Sequence, residues 1–132
     1  MDDPRHASRL HAAQLRHGAD LFDAGAWWAA HEAWEVVWRT YRGADRAYLK
    51  GLIQLAAVNH HLASGRTRGA RRLLDTASHH LAEADPLRWP FDTAHLLTAC
   101  AGIARALDAG RAVRPLRLGL AAMIVASASP SR

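Results

Sequence analysis

Residues 22–41 read FDAGAWWAAHEAWEVVWRTY, and this block decides the fold. It carries four of the chain's five tryptophans around a His-Glu-x-x-Glu core (His31, Glu32, Glu35), with two of only three glutamates. A small helical protein normally scatters glutamate over its wet faces, because the residue favours both helix and water. Concentration among indoles implies placement for a local purpose. At about 100° per residue, Trp27, His31, Trp34, Trp38 and Tyr41 fall on one helical face. Glu35 sits one turn after His31 on the shoulder of that face, in the right order for an ion pair with Arg39. Glu32 lies further round, beside Trp28 and Arg39.

Outward from this block, apolar spacing of three and four dominates and no alternating strand pattern persists. A first helix is expected from Ser8 to Ala24, interrupted at Gly18 and ended by Gly25. The second spans Ala26 to Tyr41. The third follows an N-cap at Asp45 and runs to Ala63. The fourth runs from Thr67 to Ala84, and the fifth from an Asp92 or Thr93 cap to Ala109. Short loops between them imply antiparallel neighbours. The expected fold is an all-α bundle of about five helices.

The third helix is apolar around nearly its whole circumference, which belongs at the centre of a bundle. Its exceptions are Lys50, Gln54 and His61 on one narrow stripe, with Asn59 and His60 elsewhere. Residues 1–110 make the expected bundle domain. Residues 111–132 form a C-terminal extension, partly ordered with a frayed end, because Pro115 forbids a helix across it.

Composition bounds the function classes. At 132 residues the chain is one domain, able to bury about two thirds of its unfolded surface without a disulfide or structural metal. The lone Cys100 points to a reducing compartment, and it lies on a Leu96–Ile103–Leu107 stripe as a small core residue. The chain opens without a signal-peptide pattern. Its longest apolar run, Leu116–Ala126, falls short of the roughly 18–20 residues of a membrane span. A soluble cytoplasmic protein with no membrane partner is expected. The net charge of +5 raises nucleic acid, but the cations are almost all arginine, with Lys50 the only lysine. The run Arg66, Arg68, Arg71, Arg72 lacks interleaved aromatics for base stacking, so a solvated helix face is preferred to a nucleic-acid contact.

Two readings fit the polar block. In the first, His31, Glu32, Glu35, Gln54 and His60 form a network that satisfies buried indole N–H groups and pins the second helix to the third. In the second, His31 and Glu35 at i,i+4 are metal ligands and His60 is the third. Glu32 is then the general base beside a divalent ion, as in His-Glu-x-x-His metalloproteases. That signature's second histidine is absent here, with Glu35 in its place.

The strings Leu21–Gly25, Ala30–Glu35 with Trp38, Gly51–Gln54 and Gly69–Leu74 occur in an order that resembles domain-of-unknown-function family 309, small all-helical proteins of bacteria and archaea. The resemblance covers about Leu21 to Leu81. It implies an all-α single domain with the second and third helices at its heart. It marks Phe22, Gly25, His31, Glu32, Glu35, Trp38, Gly51, Gln54 and Gly69 as signature positions. Arg66 departs from the pattern, where an asparagine commonly follows the glycine. No activity comes with the resemblance. The expected function is binding or assembly, self-association included, with the metal-dependent hydrolase as the alternative and weak nucleic-acid binding behind it.

Overall fold

The computed structural model describes residues 11–116. Five α-helices follow one another: α1 (Ala12–Asp23), α2 (Trp27–Thr40), α3 (Ala47–Ala63), α4 (Thr67–Ala82) and α5 (Thr93–Asp108). A single 3-10 turn, Pro86–Arg88, precedes α5, and no strand occurs among the described residues. Each helix packs on its chain neighbours, and the α3–α4 contact is the most extensive. The expected all-α bundle is what forms. The proposed helix start at Ser8 and the extension beyond residue 116 lie outside the described residues.

Local chemistry explains the boundaries. Gly25 adopts φ +83, and its N–H reaches the Phe22 carbonyl at 3.1 Å, so only three residues separate the end of α1 from the start of α2. Asp92 caps α5 as expected, its carboxylate accepting from the His95 N–H at 3.0 Å. Asp45 does not cap α3. Its carboxylate accepts from the Tyr41 hydroxyl at 2.6 Å and the Trp89 indole N–H at 2.9 Å. Two aromatic donors on distant segments therefore share one carboxylate. Tyr48 stacks on Trp89 with ring centroids 4.5 Å apart, and its hydroxyl lies 2.8 Å from that of Thr93. This aromatic knot joins the α2–α3 turn to the entry of α5.

The core is centred on α3, ten of whose 17 residues are buried. Gly51 lets α4 come close: a Cβ there would stand 2.9 Å from Leu81 Cγ. Trp34 is the one tryptophan of α2 that is sealed from solvent. Its indole N–H donates to the Leu15 carbonyl at 3.1 Å, and the ring lies against Gly18 with no room for a side chain between them. The glycine read as an interruption of the first helix is instead where α2 docks.

After α5, Gly110 turns the chain at φ +72, and residues 111–116 run back to α3. Leu116 is 4% exposed and joins the core cluster, with Val113 packed against it. Cys100 is buried as expected, and burial pushes its thiol pKa up.

Candidate functional site

Apart from Ala47 at its start and His60 and Ala63 at its end, the third helix is covered except along one stripe. Lys50 is exposed, and Gln54, Ala57 and His61 are half-buried. Spacings of four, three and four put them on one face. This is the Lys50–Gln54–His61 stripe that interrupts the apolar pattern in the sequence. Trp27, His31, Glu35 and Trp38 of α2 are all half-buried, and Trp38 adjoins the stripe, its ring 5.5 Å from the Lys50 ammonium. From the other side α4 contributes Gly69, where a Cβ would stand 3.4 Å from His61 Nδ1, and His80. The result is a polar seam with α3 as floor and α2 and α4 as walls.

Its contacts form two groups. On α2, Glu35 Oε1 lies 3.8 Å from His31 Nδ1 and 3.6 Å from the Arg39 guanidinium. Both are ion-pair separations too long for hydrogen bonds. Trp28, 62% exposed, stacks on the His31 ring with centroids 4.9 Å apart. Toward the start of α3, the Arg46 guanidinium covers the Trp38 ring at 3.5 Å while its Nε donates to the Trp38 carbonyl at 2.8 Å. The Lys50 ammonium lies 5.5 Å from the same ring. Gln54 Oε1 accepts from His80 Nδ1 at 2.9 Å, which leaves the lone pair of the neutral imidazole on Nε2. Burial holds the His80 pKa below its ordinary value; nearby His79 and Lys50 act in the same direction and Glu83 opposes them.

Three buried nitrogens along the seam lack a hydrogen-bond partner among the described residues: Trp27 Nε1, His31 Nδ1 and His61 Nδ1. Such groups cost about 1–3 kcal/mol each when left unsatisfied.

The structure divides the cluster expected from sequence. His31 and Glu35 meet. Gln54 pairs with His80 of α4 instead. Glu32 is exposed on the outer side of α2, and His60 is exposed while its neighbour His61 faces the seam. The indoles are not satisfied by these glutamates: Trp34 uses a backbone carbonyl and Trp89 uses Asp45. Among the described residues no three His, Cys, Asp or Glu side chains are grouped to hold a metal ion, the trio His31, Glu35 and His60 included. His80 gave no signal in the sequence, because its partner lies 26 residues away on another helix. The arginine run also divides. Arg71 is held by Asp75 at 2.6 Å and Asp108 at 2.9 Å, leaving Arg66, Arg68 and Arg72 exposed.

The family model described as a domain of unknown function (DUF309) matches residues 15–73. Over that segment the chain is similar to this family. The matched segment runs from α1 into α4 and contains the floor of the seam, its α2 wall and Gly69. His80, the partner of Gln54, lies beyond it. No curated protein and no solved structure matches the chain. Among the described residues no helix is long and apolar enough to cross a membrane.

Proposed function

We propose that this protein is a cytoplasmic binding module whose recognition surface is the seam on α3, and that it takes an acidic segment of a partner protein. The observation that carries this reading is the basic end that Arg46 and Lys50 make around the half-buried Trp38 ring. The two cations at that end suit carboxylates, the Glu35 carboxylate further along limits how far an acidic segment can extend, and the chain's net charge of +5 adds long-range attraction. The lone buried Cys100 suits a reducing compartment.

Titration with a hexaglutamate peptide tests this. The indole N–H resonances of Trp27 and Trp38 are expected to shift at low salt, and Lys50→Glu is expected to weaken binding at least tenfold. Shifts confined to Arg66–Arg72, or unaffected by Lys50→Glu, would defeat the reading and favour nonspecific charge. The hydrolase alternative rests on His31 and Glu35 alone, since Glu32 and His60 face away. It requires a thermal stability gain on adding zinc or manganese to dialysed protein.

A further inference from the structure

Asn59 lies nine residues after Lys50, about two and a half turns on, and so on the face of α3 opposite the seam. It is 0% exposed. Both hydrogen bonds of its side-chain amide go to the backbone of one residue: Nδ2 donates to the Leu116 carbonyl at 2.9 Å, and Oδ1 accepts the Leu116 N–H at 2.6 Å. This is the pair of bonds that a neighbouring strand would make with a residue of a ladder. A side-chain amide in this role reads a peptide backbone and ignores which side chain that residue carries. Side-chain selection comes from two apolar anchors three residues apart, Val113 and Leu116.

The segment carrying these anchors is held at its two ends and exposed between them. The Gly110 and Arg111 N–H groups donate to the Leu107 and Ala106 carbonyls of α5 at 3.0 and 2.9 Å, Asn59 holds Leu116, and Arg111, Ala112 and Arg114 between these points are exposed. We propose that Asn59 forms a docking site for an extended peptide with apolar residues at spacing three. Residues 111–116 occupy it in cis, and the same segment of a second copy can occupy it in trans. Exchange between copies replaces each contact with an identical one, so it carries no enthalpic penalty. The site is separate from the seam on α3, and its fate does not depend on that reading.

The test uses the full chain and a fluorescent synthetic peptide of residues 110–118, GRAVRPLRL. Wild-type protein is expected to bind it saturably but weakly, because the cis segment competes. Disabling that competitor with Leu116→Asp in the protein is expected to tighten peptide binding at least tenfold, since apparent affinity scales with the open fraction. A peptide carrying the same Leu116→Asp change should bind at least tenfold more weakly, and Asn59→Ala protein should lose binding. Saturable binding to wild-type protein, whose own segment must first leave, is the outcome that a permanently closed structural contact does not produce; no binding to wild type, or equal affinity of wild-type and Leu116→Asp proteins, would overturn the proposal. If Leu116→Asp protein fails to fold, Val113→Asp takes its place. Hydrogen exchange of the wild-type Leu116 amide gives a readout free of mutation. It is expected to exchange by local opening faster than the buried amides of α3, and exchange only through global unfolding would overturn the proposal as well.

Discussion

A methyl group added at Gly18 would meet the Trp34 indole, so Gly18→Ala sets two effects of opposite sign against each other. Helix propensity favours alanine by up to about 1 kcal/mol in the middle of α1. Displacing a sealed indole and loosening its bond to the Leu15 carbonyl should cost about 1–3 kcal/mol by overpacking. Packing wins, and a lower urea midpoint at unchanged slope is expected; a higher midpoint would show that the Trp34 pocket is soft. At this scale the sequence was least legible. Gly18 looked like a break because spacing alone does not show what lies across a helix interface. Asp45 looked like a cap because short polar residues before a helix usually are. Its two aromatic donors, one of them 44 residues away, outcompeted the local backbone.

At the scale of elements, the apolar stripes were read correctly because burial follows the 3.6-residue period directly. Leu96 and Cys100 of the expected α5 stripe are buried, with Ile103 and Leu107 packed against the core, and α3 is central because little of its surface can face water. Polar partners between elements had no such signature. Arg71 appeared to be one member of a solvated basic run, yet it ties α4 to α5 through Asp108, 37 residues on. Asp75 and Asp108 hold its guanidinium even more firmly protonated than usual, and the bond from Arg71 lowers the Asp108 pKa. These are surface groups, so the ion pair stabilises little. Arg71→Ala is expected to cost no more than about 1 kcal/mol, with the difference from wild type shrinking in high salt. A loss of several kcal/mol, unchanged by salt, would mean that the side chain's packing matters more than its charge.

For the whole molecule, pH sets a measurable slope through His80. Its folded-state pKa is lowered, so as pH falls the unfolded chain takes up this proton first. The stability that comes from keeping His80 neutral is full above the ordinary histidine value of about 6.5 and declines as pH drops through it. The decline ends once the folded form is protonated too. Thermal melts between pH 8 and 5 (roughly the range over which histidine charges) are expected to show a shallower fall for His80→Gln than for wild type. An identical or steeper fall would assign the slope to other histidines. The candidate site was half legible on this scale. The α2 face and the α3 stripe could be drawn on separate wheels, while their register against α4, and thus the Gln54–His80 pair, exists only after the helices pack.

The Asn59 clamp also bears on how the protein emerges from a ribosome. Successive helical hairpins can collapse as they appear, because their contacts join nearby stretches of chain. Asn59 must wait for a residue made 57 positions later. Throughout that interval a nascent chain carries an amide and an apolar notch with no occupant of its own, and neighbouring chains on one polysome would present the same notch side by side.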